Sequence, residues 1–430
     1  MEASSSAVDS GGGDNDGSSV SRVPKPTAAT PKLPSDYPKN SPRIISASDE
    51  SGLICDYDSP TSEPKIKTRG FFRQILDVFL PAGYPHTVTP DYTPYQVFDS
   101  LQAFSSTIAG LLSSRAVLQG FGVGDAASSA TGAVLLTVLQ ESTGRLGTIL
   151  FAHRLGRAIE PECKFYRFLA DIFNDTAMFL DVLSPALPHK LKVTALCASG
   201  VLRALCGVSG MSAKASLSAH FARSGNLAEL NAKDGSQETV ISLMGMLAGS
   251  VFVRYIEGRR AVYGWTAGLI GMHLWTNYKA VCAVQMRTLS RQRLYLVLRS
   301  FNELGVIRDP YEVCCIENIL FCKLPPIKFA TSPPRSGVEF ATKMKNGMVW
   351  DEDEAVLVGG KGKRITIYMK EGATSRDVIM AWVKAVEKHG SLKNELNFDK
   401  EIPKLQQVGW DIDTNALETG PAIRIKTANF

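Results

Sequence analysis

Between residues 96 and 118 apolar side chains recur every three or four positions: Val97, Phe98, Leu101, Phe104, Ile108, Leu111, Leu112 and Leu118. That interval is the stripe of one helix face, so a helix with a single buried side is expected. Gly120, Gly122 and Gly124 are expected to end it, and Asp125 is placed to cap the next helix, its carboxylate accepting from an unpaired N–H of the first turn. The second helix should run through Val134, Leu135, Val138 and Leu139 toward Gly144 and Gly147. A third, over 164–183, divides its faces sharply: Phe165, Phe168, Leu169, Ile172, Phe179 and Leu183 fall on one side, and Lys164, Arg167, Asp171, Asn174, Asp175 and Asp181 on the other. Upstream, FFRQILDVFL (71–80) reads as a short amphipathic helix stopped by Pro81. Pro85, Pro90 and Pro94 then hold the chain in turns, with Tyr84, Tyr92 and Tyr95 expected to pack over the bundle.

Farther along, the pattern becomes more continuously apolar. Residues 190–211 are interrupted by Lys192 and Arg203 and fit a bundle helix. Residues 239–256 and 261–278 are the stronger membrane candidates, the second lacking Asp, Glu, Lys and Arg over a length at the short end of a bilayer core. Gly245 and Gly249 in one, with Gly264 and Gly268 in the other, have the spacing that lets helices approach closely, so a hairpin about the EGRR turn is expected. Arg254, Arg259 and Arg260 at that turn would favour the cytosolic or equivalent side. His273 and Asn277 are polar, and they equally suit the buried centre of a soluble bundle.

After the hairpin, Ser290 is placed to cap a helix through Leu294, Val297, Leu298, Phe301 and Leu304, ended by Gly305. A proline-punctuated link follows, containing Cys314, Cys315 and Cys322. AVLV, GGKGK and RITIYM then read as a β-hairpin, and Thr374 with Asp377 as a capping box opening DVIMAWVKAVEK, closed by Gly390. The expected fold is mainly α, a multi-helix bundle with a membrane-embedded and a soluble version both open, plus a small C-terminal α+β module. Its divisions are a tail at 1–69, a helical core at 70–305, a linker at 306–337 and the module at 338–430.

Composition refines this outline. The 430 residues have room for two or three domains, and the formal net charge of +5 is not gathered into a basic run with interleaved aromatics, so nucleic acid is not an expected partner. The tail is rich in Ser, Gly, Pro and Asp, and disorder is expected there. No apolar run follows Met1, so a secretory signal is not expected; Glu2, Asp9, Asp14, Asp16, Asp36, Asp49 and Glu50 do not suit a transit peptide. Eight cysteines without a CxxC pair read as reduced side chains, and Cys314, Cys315 and Cys322 lack a fourth metal ligand.

Candidate chemistry is sparse. GVGDAA matches GxGxxA, but a dinucleotide fingerprint needs a preceding strand and here a helix precedes, so the segment reads as a turn and cap. Asp171, Asn174 and Asp175 would bind a cation or exchange protons if their face looked into a cavity. The bland reading is a solvated face with Arg167 balancing Asp171 at i,i+4, and it is the one adopted. Glu141 and Arg145 are the natural partners should that face be buried. The ligand-binding candidates are therefore Gly122, Gly124, Asp125, Glu141, Arg145, Asp171, Asn174 and Asp175. His220 is expected at the surface or as a cap. With no paired histidines, no GxSxG, no Walker loop and no kinase motif, neither a catalytic residue nor a metal ligand is nominated, and no cofactor is named.

The runs FLPAGYPHTVTPDYTPYQVFDSLQ, GVGDAASSATG, ESTGRLGTILF, FYRFLADIFNDTAMFLDVLSP and HFARSGNLAELNAKDGSQET together resemble the root UVB sensitive family over about 79–301. The resemblance implies a eukaryotic protein, associated in plants with ultraviolet-B responses, seedling and root development, auxin transport and vitamin B6 balance. It also implies membrane association, with the plastid or cytosol as alternative locations and a family-member complex as a possible partner. The family defines no agreed catalytic residues. The expected function is thus a non-enzymatic membrane-associated protein, a scaffold or small-molecule carrier. The alternative is a cofactor-handling protein or enzyme with a pocket between the glycine turn and the acidic helix face.

Overall fold

The computed structural model describes residues 46–48, 53–56, 65–68 and 78–426, apart from 121–129, 224, 257, 334–348, 353, 360–361 and 393–397. Gly122, Gly124 and Asp125 lie outside the described residues, as does most of the helix expected at 71–80. Within the expected tail, β1 (Ser46–Ser48), β2 (Leu53–Asp56) and β3 (Lys65–Thr68) form an antiparallel sheet of their own. Composition pointed to disorder throughout 1–69, whereas the short runs LICD and KIKT pair across a sheet.

Six long helices follow: α1 (Tyr92–Gly120), α2 (Ala130–Ile159), α3 (Cys163–Leu183), α4 (His189–Phe221), α5 (Leu227–Tyr255) and α6 (Arg259–Ala283). α1 starts four residues before the expected point, with Pro94 in its first turn, where the missing N–H has no helical partner to lose. α3, α5 and α6 all pack on α1, while α4 lies on α3 and α2 on α4. Short breaks separate the later helices: a 3-10 turn at Ser184–Ala186 precedes α4, and Gly225 and Gly258 take φ of +70° and +84° before α5 and α6.

Gly144 and Gly147 act as packing sites rather than as ends. α2 continues through Gly144 and Gly147 to Ile159, because both face α4: a Cβ on Gly144 would lie 3.1 Å from the Gly200 carbonyl oxygen. The expected α5–α6 glycine hairpin is replaced by a different pairing. A Cβ on Gly245 would meet Thr107 at 2.8 Å and one on Gly249 would meet Leu111 at 2.6 Å, both on α1, while Gly264 and Gly268 face open space.

A Cβ at Gly200 would fall 2.9 Å from the backbone oxygen of Gln140, so Gly200→Val is expected to destabilise the bundle by about 1–3 kcal/mol through overpacking. Gly207→Ala on the same helix meets nothing within 4 Å and should be neutral or stabilising by about 0.5–1 kcal/mol. Thermal unfolding of the two purified variants checks the contrast, and equal melting temperatures would refute it.

The C-terminal module begins earlier than its sequence pattern suggests. α7 (Arg291–Leu304) is capped by the Ser290 side chain and closed by left-handed Gly305; α8 (Pro310–Ile316) carries a capping box of Asp309 and Glu312. β4 (Ile327–Phe329) pairs in parallel with β7 (Ile365–Lys370), which forms the expected hairpin with β6 (Ala355–Val358); β5 (Val349–Asp351) and β8 (Arg424–Ile425) complete the sheet. α9 (Ser375–His389) has the Thr374–Asp377 capping box and ends at left-handed Gly390, and α10 (Ile402–Gln407) follows. Leu298, Val313, Phe329, Trp382 and Trp410 share one core, so residues 307–329 of the stretch expected as a linker pack with the module.

Candidate functional site

Helical spacing places Asp99 and Gln102 on one face of α1, Arg167, Asp171 and Asp175 on one face of α3, and His273 and Asn277 on one face of α6. The three faces meet inside the bundle. Arg167 donates from Nη2 to Asp99 Oδ1 at 2.8 Å and from Nη1 to Asp171 Oδ1 at 2.9 Å. Asp171 Oδ2 accepts from Asn277 Nδ2. His273 Nδ1 lies 2.8 Å from both carboxylate oxygens of Asp175. With the Gln102 amide oriented as its neighbours require, Nε2 donates to Asp171 Oδ2 and His273 Nε2, each at 2.7 Å, and Oε1 accepts from Arg167 Nη2 at 3.2 Å. The side chains of His273 and Asp175 are only 1% and 3% exposed. Ions at that depth are retained only when paired, and these are paired almost throughout.

The acidic face of α3 is therefore interior, not solvated. Asn174 reaches Ser106 Oγ at 3.4 Å beside the network. Glu141 and Arg145 do not join it: on the outer side of α2 they pair with each other at 3.7 Å, their side chains 63% and 81% exposed. Both stay on the exposed side of α2, so the expected pocket uniting these two residues with Asp171 and Asp175 is not assembled; α2 meets α3 instead through Phe151, whose ring lies 6.4 Å from that of Tyr166 and 6.2 Å from that of Phe173.

Three further clusters extend the interior polarity. At one end of the bundle His220 Nε2 sits 2.9 Å from Asp91 Oδ2, which also accepts from the Gln285 N–H at 2.6 Å. Burial pushes the Asp91 carboxyl up, but the His220 contacts and the Gln285 N–H outweigh it and hold Asp91 below the usual range. His220 is thus a buried partner rather than a surface residue. Next, Asp234 accepts from Gln96 and pairs with Lys214 at 2.8 Å. Toward the other end Asp181 accepts from Ser113 Oγ at 2.9 Å and from Arg203. From Asp91, just ahead of α1, to Ser113 on it, the ladder runs about 33 Å at 1.5 Å per residue.

Where bundle meets module, Glu317 accepts from Lys164 Nζ at 2.7 Å and from Arg293 Nε at 2.8 Å. Burial pushes its carboxyl up, yet the two cations outweigh that and hold it below the usual range. Lys164, assigned by periodicity to a wet face, is 2% exposed. A cleft of about 580 Å³ opens at the same end, lined by His220, Arg223, Met286, Arg287, Trp410 and Asp411 among others.

His273 and Asn277 are the site residues that periodicity alone passed over as an objection to lipid. Their i,i+4 spacing matches that of Asp171 and Asp175, and that match was the available clue. Residues 65–305 match the family model described as a vitamin B6 photo-protection and homoeostasis domain. The whole ladder on α1–α6 lies within this stretch; Glu317 and most of the module lie outside. The chain is 39% identical to RUS family member 1 of Dictyostelium discoideum over 62% of this chain, and spans about half, 52%, of that protein. It is 29% identical to protein root UVB sensitive 3 of Arabidopsis thaliana, covering 79% of this chain and 83% of the relative. Protein root UVB sensitive 2, chloroplastic, of Arabidopsis thaliana is 26% identical, covering 72% of each. No solved structure matches.

Proposed function

The chain belongs to the root UVB sensitive family, whose domain carries the link to vitamin B6 photo-protection and homoeostasis, and on that premise we propose that it is a membrane-embedded carrier of a small molecule. One observation carries this reading: the bundle has charge inside and hydrocarbon outside. Leu135, Ile149, Leu243, Leu247, Val251 and Trp275 are all exposed, whereas Arg167, Asp171, Asp175 and His273 are buried. Two helices, α4 and α5, are long and apolar enough to cross a membrane, and only 11% of the apolar window of each is buried. The core helix of a soluble protein would be mostly buried. This pair differs from that expected from sequence, where 190–211 was read as a bundle helix and 261–278 as a span.

Ionisable groups facing the interior of a membrane bundle mark substrate and ion paths. The ladder along α1 matches the roughly 30 Å of a bilayer core, and the 580 Å³ cleft at one end supplies a vestibule for a molecule of vitamin size. The exposed pair Glu141–Arg145 interrupts the apolar belt on α2, so a protein neighbour is expected to cover that face. Plastid membranes are a candidate location, one relative being chloroplastic by name.

The test is carbonate extraction followed by reconstitution. The full chain is expected to stay with the membrane pellet in carbonate and to admit a labelled B6 vitamer into liposomes, with uptake abolished by Asp175→Asn. Release by carbonate would sink the embedded reading, and uptake no faster than in empty liposomes for every vitamer would sink the carrier.

A further inference from the structure

We infer that the network joining α1, α3 and α6 is a two-proton site whose occupancy is read by the Gln102 side-chain amide, and that protons are the coupling ion of the carrier; only the second part rests on the carrier reading. In the arrangement described above, His273 donates Nδ1–H to Asp175 and accepts at Nε2 from Gln102, as a neutral imidazole does. Asp99, Asp171 and Asp175 then stand against the single guanidinium of Arg167, leaving the buried cluster with a net charge of minus two. One acceptor is also unused. Asn277 Oδ1, on the amide that donates to Asp171, has no hydrogen-bond partner although Asn277 is 0% exposed. The cluster has more acceptors than hydrogens.

Turning the Gln102 amide end for end shows where hydrogens would go. Oε1 would then face Asp171 Oδ2 and His273 Nε2, both at 2.7 Å. An oxygen can approach both atoms only if each carries a proton. One proton taken from solvent by Asp171 and one by His273 satisfy both contacts and bring the cluster to neutrality; no other bond forms or breaks. The same turn sets Gln102 Nε2 against Arg167 Nη2 at 3.2 Å, donor facing donor. Loading therefore loosens the grip of α1 on Arg167, which holds α1 to α3 through Asp99 and Asp171. That is a physical route from proton binding to helix movement.

The groups facing His273 are defined on each neighbour. From α1 Gln102 meets it, with Asp99 and Tyr95 one step behind through Arg167; α3 contributes Asp171 and Asp175 with Arg167 beside them, and Asn277 lies on α6 itself. Cys206 on α4 is within electrostatic reach of Asp171.

The experiment uses the full chain in detergent, titrated from about pH 8 to about pH 5, the range in which histidine charges. Infrared difference spectra follow the C=O stretch of a protonated carboxyl group, and nitrogen NMR of labelled histidine follows the imidazolium, assigned by its loss in His273→Gln. Both signals are expected to appear with one midpoint, the carboxyl band is expected to vanish in Asp171→Asn, and Gln102→Leu is expected to separate the midpoints. His273 charging without a carboxyl band, or a band unchanged in Asp171→Asn, would overturn the proton site. In wild type alone, a carboxyl band and an imidazolium signal that do not rise together would overturn the site even where a variant fails to fold. In liposomes, B6 vitamer uptake should rise at least threefold under an imposed proton gradient. Uptake indifferent to the gradient would overturn the coupling alone, and absence of uptake altogether would fall on the carrier reading.

Discussion

Arg167→Met is expected to lower the stability of the bundle by about 3–5 kcal/mol, the cost of removing one partner from a buried ion network. Arg167 is 9% exposed at its side chain and gives separate guanidinium nitrogens to Asp99 and Asp171. Methionine fills much of its volume, so the loss comes from charge rather than from a cavity. Two carboxylates on different helices would be left facing each other without a cation, and α1 and α3 would be pushed apart at the centre of the fold. For a domain of this size the loss corresponds to roughly 6–20 °C in melting temperature. Arg167→Lys should recover only part of it, because a single ammonium does not reproduce the fork that reaches both carboxylates. Adding Asp99→Asn and Asp171→Asn to Arg167→Met removes the stranded charges and should restore most of the stability. Circular dichroism melts of the purified variants measure all three. A triple variant no more stable than Arg167→Met would show that the arginine acts through packing.

Local chemistry announced much of this fold before tertiary contacts were known. The periodicity of Val97 to Leu118 located α1, and Ser290, Gly305, Gly390 and the Thr374–Asp377 box marked helix ends where the structure has them. These features depend on neighbours a few residues apart. The central network depends on three separate helices, and nothing within α3 distinguishes an interior acidic face from a wet one: Arg167 lies one turn from Asp171 in either case. What decides is the partners supplied by α1 and α6, where Asp99, Asn277 and His273 close on Arg167, Asp171 and Asp175; of the opposite, apolar side, Phe168 is itself buried and Phe179 is 52% exposed. Glycine was ambiguous for a similar reason. Gly144 and Gly147 resembled an ending, although Leu146, Ile149 and Leu150 continued the apolar pattern beyond them. Gly245 and Gly249 did indicate a close approach, but their spacing does not name the helix approached.

Glu317→Gln is expected to release the C-terminal module from the bundle at neutral pH. Glu317 follows α8, Lys164 opens α3 and Arg293 lies on α7, so this one carboxylate ties the bundle to both sides of the module's helical edge. Gln leaves two buried cations with a neutral partner, a loss on the order of 3–5 kcal/mol by the same reasoning as for Arg167. The folded carboxyl titrates below its unfolded value of 4.5. Its contribution is therefore fully present above that value and disappears as pH falls through the lower folded value, since the unfolded chain then binds the proton more readily. Wild type should accordingly hold the module firmly from neutral pH down to about 4.5 and lose it progressively in stronger acid. Glu317→Gln should start from the loosened state and lack that acid step. Hydrogen exchange of α8 and α9 at both pH values reads the docking directly, and combining Glu317→Gln with Lys164→Met should recover part of the protection by removing one stranded cation. Equal protection of wild type and Glu317→Gln at neutral pH would refute the clasp, and an undiminished acid step in the variant would assign that step to other carboxylates such as Asp91, which is likewise held below its usual range.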